Sequence, residues 1–335
     1  ERRSLMKRWF IIFAVLILAA TPTFAGATRE APGDEPEMQA EEYPSRPIQI
    51  IVPWGAGGRT DINARMFASV APKYLGQPVT VINMAGGGST IGGDFVAKAA
   101  PDGYTLLAIT PGTNVFPVVF ERAPYDTFDF EPIGQIGSST MAFASRPDRP
   151  WSNIQELIEY ARANPGEVTY SCVALNAPQL GFLRWADAAG LEFTHVPVGN
   201  DGEAVESALG GHVDLAMTSS VATITSHVSA GNLLPLMVFS EERDGALPDV
   251  PTAVELGYNV VASPFTGIAA PKGISDEVRK TLTEAFQSVI ADEDFLRVMG
   301  RIGESINPKN AEQFRAVWQN DIDGYTTIVE RMGLK

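Results

Sequence analysis

Only one cysteine, Cys172, stands in 335 residues, so no internal disulfide can staple the chain and its stability rests on a packed core. Histidine is almost as scarce. His195, His212 and His227 show no metal-ligand spacing, and no metal is expected. Positive charge is in deficit too: 25 Lys and Arg against 40 Asp and Glu leave a net charge of −15, which argues against nucleic acid and anionic membrane as partners. A Walker lysine is missing, Gly55-Ala56-Gly57-Gly58 lacks the G-x-G-x-x-G spacing, and no acidic residue ends the strand that follows. Those absences exclude nucleotide binding, and no cofactor is expected.

Long apolar runs are lacking as well. Trp9 to Ala20 comes nearest to a membrane span and is too short for one. Arg2, Arg3, Lys7 and Arg8 precede it, and Thr23-Phe24-Ala25 or Ala25-Gly26-Ala27 follows with small residues for cleavage. Residues 1–27 therefore read as a secretory signal peptide, and the mature protein is expected in the periplasm as a monomer. With no cysteine near the cleavage site, no lipid anchor is expected. Removing four basic residues and Glu1 takes the charge from −15 to −18. Residues 28–42 carry six acidic residues, two prolines and no apolar period, the composition of a disordered acidic tether.

What is present is organised around Ile48 to Arg65. Ile48, Ile50, Ile51 and Val52 form a β-branched run, as in a strand buried on both faces. Gly55, Gly57 and Gly58 permit a sharp turn, and Thr60 or Asp61 can cap a helix with apolar Ile62, Met66, Val70 and Tyr74. Asp61 also stands four residues before Arg65, the spacing of a pair along the helix. A second unit repeats the design: strand Pro78–Asn83, glycines 86–88 with Ser89 and Thr90, then a helix to Ala100. Each helix start directs unpaired amide N–H groups at one point, which suits an anion.

Downstream, Val115–Pro147 reads as a crossing between lobes, and Ser152-Asn153-Ile154-Gln155 as a capping box. Strands over 168–174, 193–198, 213–217 and 234–239 alternate with helices over 179–189, 203–209 and 221–230. The chain returns through Ser263–Gly267 to long helices over 275–291 and 311–330. The expected fold is α/β with two lobes, mostly parallel sheets with helices on both faces, and a ligand cleft between the lobes. Lobe 1 spans 43–145 and 263–335; lobe 2 spans 146–262.

Tyr43-Pro44-Ser45-Arg46-Pro47-Ile48, Val52-Pro53-Trp54-Gly55-Ala56-Gly57-Gly58, Ala100-Pro101-Asp102-Gly103-Tyr104, His195-Val196-Pro197 and Leu247-Pro248-Asp249-Val250-Pro251-Thr252 occur in the order seen in one family. In these, from Tyr43 to the C-terminus, the chain resembles the Bug/TctC solute-binding receptors of tripartite tricarboxylate transporters. The resemblance implies a type II periplasmic-binding-protein fold, a small organic carboxylate as ligand, and the transporter's membrane subunits as partners. It also implies that no catalysis occurs. In lobe 1 the amides of Gly57, Gly58, Gly86, Gly87 and Gly88, with Thr60, Ser89 and Thr90, would hold one carboxylate. Thr110 and Thr113 would line the cleft, and Trp54 would either line it or pack beneath the loop. In lobe 2 Ser171, Gly199, Asn200, Thr218 and Ser219 would read the remainder. Arg59 stands where relatives carry a small residue, and its guanidinium could clamp the carboxylate through two parallel N–H bonds. Two rivals are a ligand-sensing receptor for a membrane signalling partner and a secreted hydrolase with Cys172 as nucleophile and His195 as base.

Overall fold

A computed structural model of the chain describes residues 43–301 and 306–334. The expected signal peptide (1–27) and acidic tether (28–42) lie outside the described residues. The β-branched run at Ile48 forms β1 (Ile48–Val52), four of whose five residues are buried. β2 (Val79–Asn83) and β3 (Thr105–Ile109) flank it in parallel, with Ile50 opposite Val81 on one side and Leu106 on the other. β4 (Phe130–Ser138) leads to a second sheet of β5 (Ala142–Ser145), β6 (Thr169–Cys172), β7 (Thr194–Pro197), β8 (Leu215–Thr218) and β9 (Leu234–Val238). The chain returns as β10 (Phe265–Pro271), and β11 (Lys309–Asn310) adds a short edge.

The strand orders are β11-β4-β10-β3-β1-β2 and β7-β6-β8-β5-β9. Both sheets are mixed rather than mostly parallel, and the crossings explain why. β10 and β5 each enter their sheet from the gap between the lobes, so they run antiparallel to both neighbours. The other long strands run toward the gap and deliver their C-terminal ends, with the following loops, to it. Because β5 pairs with β8 and β9, the first crossing lies near Ser139–Met141, ahead of the boundary expected at 145. The segment read as a crossing from Val115 in fact holds a short helix, Phe116–Val119, and two full strands.

Eight helices matter to the site or the core. They are α1 (Arg59–Val70), α2 (Thr90–Ala97), α3 (Ile154–Ala163), α4 (Ala177–Ala189), α5 (Asp201–Leu209), α6 (Asp276–Ile290), α7 (Glu293–Arg301) and α8 (Ala311–Met332). α1 buries Ala64, Phe67 and Ala68 instead of the Ile62–Met66–Val70 face, and Tyr74 beyond it is exposed. Two alanines beside Phe67 let the helix approach closely, and Phe67 meets Phe286 of α6 with ring centroids 5.7 Å apart. α3 is capped one residue later than expected: Asn153 accepts the Glu156 N–H at 3.0 Å. The helix expected over 221–230 breaks into two short turns, Val221–Thr223 and Thr225–Ser229. α8 opens with an Asn310–Gln313 capping box and belongs to both lobes. Its Phe314 and Trp318 share a buried cluster with Phe265 of β10, and its Tyr325 and Ile328 join the same cluster as Leu180 and Leu183 of α4.

Asp61 fixes the first glycine turn. It is 3% exposed and accepts the Gly57 N–H at 2.8 Å, Asn83 Nδ2–H at 2.8 Å and Arg65 Nε–H at 3.0 Å. It thus ties the turn after β1 to the end of β2, and pairs with Arg65 as expected. It caps nothing, and neither does Thr60: the helix starts at Arg59, with Gly58 as an N-cap that has no side chain to offer. The Arg65 guanidinium, helped by the Gly57 and Asn83 donors and opposed by burial, holds the Asp61 carboxyl down to about 2. A lowered native value means stability that is present above the unfolded value near 4 and lost as pH falls through about 2. Asp61→Ala should cost about 2–3 kcal/mol and lower the melting temperature by roughly 4–10 °C at neutral pH. Asp61→Asn should flatten the decline of wild-type melting temperature between about pH 4 and pH 2, as calorimetric melts across that range will show.

Candidate functional site

The two glycine turns lie side by side at the C-terminal ends of β1 and β2. Gly86, Gly87 and Gly88 have φ of 131°, 59° and 64°, and Ser89 follows at 80°. Four successive left-handed residues explain the glycines, and a Cβ on Gly87 would stand 2.4 Å from Thr90 Oγ1. Gly92, on the first turns of α2, lets the helix press on the neighbouring loop: a Cβ there would sit 2.8 Å from the Met84 carbonyl and 2.9 Å from Pro53 Cα. Gly57, Gly58 and glycines 86–88 are exposed. The opening amides of α1 and α2 have no intrahelical acceptor, and both helices start at this edge of the gap.

The hydroxyls expected to bind are used internally. Ser89 is buried and donates to the Gly112 carbonyl at 2.6 Å, and Thr90 donates to the Gly87 carbonyl at 2.8 Å. Trp54 Nε1–H donates to Thr110 Oγ1 at 3.3 Å, Thr110 and Thr113 hydroxyls meet at 3.3 Å, and Thr113 is fully buried. These three bind the loop after β1 to the loop after β3 and form the floor beneath the turns. Thr60 is half-buried in the first turn of α1.

Arg59 does not fold over the glycine turn as a clamp. Its Nη1 donates to Ser139 Oγ at 2.5 Å and to the Pro264 carbonyl at 3.4 Å. Ser139 and Pro264 are the two crossing segments, and the Ser139 N–H also donates to the Pro264 carbonyl at 3.0 Å. The residue that opens α1 is thus fastened to both crossings. Ser139 and Pro264 were not among the expected site residues; Ser-Ser-Thr and Ser-Pro between apolar strands were the available signal.

In lobe 2, Ser171 and Thr218 are corrected. Both are fully buried: Ser171 donates to the Ala204 carbonyl at 3.0 Å and Thr218 to the Ser220 carbonyl at 3.1 Å. On a strand buried on both faces, even the terminal side chain turns inward. Gly199 N–H donates to Glu203 Oε2 at 2.8 Å, Asn200 caps α5 by accepting the Glu203 N–H at 3.0 Å, and Ser219 Oγ donates to Asp201 Oδ2 at 2.5 Å. Those contacts shape the start of α5.

Cys172 and His195 do meet, with Sγ and Nε2 3.4 Å apart, but the pair is built against nucleophilic chemistry. Gln179 Oε1 accepts the Leu175 N–H at 2.6 Å, so its amide nitrogen donates to His195 Nδ1 at 3.0 Å. Nε2 then carries the proton and donates to the Cys172 carbonyl at 3.1 Å, which leaves no base facing the thiol. Burial pushes the Cys172 thiol up to about 12 and lowers His195. Among the described residues no cluster could hold a metal ion, and no helix is long and apolar enough to cross a membrane.

A cavity of about 700 Å³ lies elsewhere, where β4, β11 and α8 face the Ser240–Gly245 segment of lobe 2. None of the expected ligand residues lines it.

Residues 63–334 match the family model of the tripartite tricarboxylate transporter family receptors. BugT of Bordetella pertussis is 32% identical over 89% of this chain and 93% of its own length. A ligand-free TctC solute-binding protein from Polaromonas superposes with a TM-score of 0.80 at 29% identity, covering 86% of this chain and 99% of that one. MatC of Rhodopseudomonas palustris with bound malate gives 0.63 at 26% identity, covering 86% and 100%. A second R. palustris protein with adipate gives 0.64 at 25% identity, covering 87% and 98%. With the two mixed sheets and the paired glycine turns in place, the chain belongs to the TctC, or Bug, family of solute-binding receptors.

Proposed function

We propose that the protein is a periplasmic receptor that captures a small organic carboxylate between its lobes and delivers it to the membrane subunits of a tripartite transporter. The observation that carries this reading is the pair of helix N-termini, α1 and α2, opening from adjacent parallel strands at one edge of the gap. Their outward amides offer a carboxylate several N–H donors and the positive ends of two helix dipoles. The malate and adipate held by two family members are ligands of this chemical class. The amides of Gly58, Thr60, Gly87 and Gly88 are assigned to the ligand, with selectivity set by the shape of the turns. Export through removal of residues 1–27 belongs to the same proposal.

The closer likeness to the ligand-free Polaromonas structure than to the two liganded ones supports an open arrangement of the lobes, which a bridging ligand would close. A thermal-shift screen of mono-, di- and tricarboxylates should find one ligand that at about a hundred times its Kd raises the melting temperature by roughly 5–10 °C. With that ligand, small-angle scattering should record a smaller radius of gyration. A profile unchanged at saturation would exclude closure.

Arg59 separates binding from coupling. Arg59→Ala removes the guanidinium from both crossings, and at its half-exposed position this should cost about 1 kcal/mol, or roughly 2–4 °C in the melting temperature of the empty protein. Arg59→Lys should recover part of the loss, since an ammonium still offers N–H donors to these acceptors but from a shorter side chain. Melts of the three proteins check it. An empty protein whose melting temperature is unaffected by Arg59→Ala would show that the hinge contacts contribute nothing.

A further inference from the structure

The cavity beside the crossings carries chemistry that the carboxylate cleft does not use. Its walls come from both lobes: Gln135, Lys309 and Asp321 on one side, Glu241 and Asn259 on the other. Asp321, on α8, is 3% exposed and lines the cavity. Its nearest cation, Arg184 Nη1 of α4, stands 3.9 Å away and donates to the Val261 carbonyl at 3.3 Å. Gln135 is 1% exposed and gives its Nε2–H to the Asn307 carbonyl at 2.8 Å, which fixes Oε1 as an acceptor, and that oxygen has no hydrogen-bond partner among the described residues. The two cations on the wall are already engaged, Lys309 with Glu241 at 3.3 Å and Arg243 with Glu255 at 2.9 Å. Four acids, Glu241, Glu242, Asp244 and Asp321, outnumber them. Buried acceptors are ordinarily matched with donors, and a buried carboxylate needs a counter-charge. A ligand that supplies N–H donors and positive charge meets both needs.

We propose that this cavity is a second ligand site, for a small organic cation bearing primary ammonium groups, with Asp321 as its counter-charge. The assignment does not rest on the carboxylate cleft: β10 and β3 stand between β4, on the cavity wall, and β1 in the strand order, and the crossings line the cavity through Ser138, Thr140 and Ser263. Because both lobes supply the walls, occupancy and the hinge angle depend on each other.

Burial pushes the Asp321 carboxyl up to about 7, against the pull of Arg184. Arg184 from α4, Tyr325 on α8 itself, and Lys309, Arg243, Glu241, Glu242 and Asp244 on the cavity wall are the titratable groups around it. A bound ammonium favours the ionised carboxylate, so affinity should fall as pH drops through about 7.

The test is isothermal titration of the full chain with 1,4-diaminobutane, and with 1,4-butanediol as the uncharged control. The diamine should bind saturably at about pH 8 and several-fold more weakly at about pH 6, where its own charge is unchanged. The diol should not bind. Asp321→Asn should weaken diamine binding at least about tenfold. Hydrogen exchange on the wild type, with and without diamine, gives a reading that does not depend on the variant folding. Slowing over 240–245 and 307–321 supports the site. No saturable diamine binding, equal binding of diol, unchanged affinity in a folded Asp321→Asn, or slowing confined to the glycine turns would overturn it.

Discussion

At one point the chain leaves the first lobe and, more than a hundred residues later, comes back, and there the Ser139 N–H is bonded to the Pro264 carbonyl. Much of the architecture follows from that pairing. Strands that arrive through the crossings must run away from the gap, so β5 and β10 are antiparallel to their neighbours, and the remaining long strands run toward it. The loops that face the gap are therefore those after β1, β2 and β3 and their counterparts in lobe 2. Arg59 ties the start of α1 to the same point. On the proposed reading, a shift of α1 on ligand contact would have a direct mechanical route to the crossings.

The proposed binding edge would rely on backbone rather than on side chains. Asp61 takes up the Gly57 amide, Ser89 donates to the loop after β3, and Thr90, Thr110 and Thr113 use their hydroxyls within their own loops. What remains outward is peptide N–H at two helix starts, held in place by those same hydroxyls. Local dipoles of this kind can hold an anion although the whole chain carries a charge of −15. On the proposed reading, rigid turns would choose among carboxylates by shape, at no entropic cost of ordering long side chains.

Much of the fold was legible because it is written in local chemistry. The β-branched run at Ile48, the glycines before α1 and α2, Ser275 ahead of α6 and the start of α8 all announce themselves over four or five residues. Features set by distant partners were not legible. The reversed direction of β5 and β10 depends on where the chain crosses. The buried face of α1 is fixed by α6, some two hundred residues on, and so it falls on Ala64 and Phe67 rather than on the more apolar Ile62 and Met66. Site residues failed for the same reason. A serine or threonine at a strand's end has the same appearance whether it faces solvent or, like Ser171 and Thr218, bonds a carbonyl inside the sheet. Arg59 was legible as unusual, but its acceptors lie 80 and 205 residues away in the chain.

The place of β10 in the strand order bears on how the molecule can assemble. It is wedged between β3 and β4, so these two strands, though close in sequence, share no hydrogen bonds of their own. The second sheet is drawn from one continuous stretch of chain, and everything it needs has been synthesised before Phe265 appears. The first sheet must instead stand open along its middle, with two unsatisfied strand edges, until a late segment is threaded back into it and α8 closes over the join. Such long-range closure favours slow folding and prolonged exposure of apolar edges. The sheet that carries the two glycine turns is therefore the last to become whole.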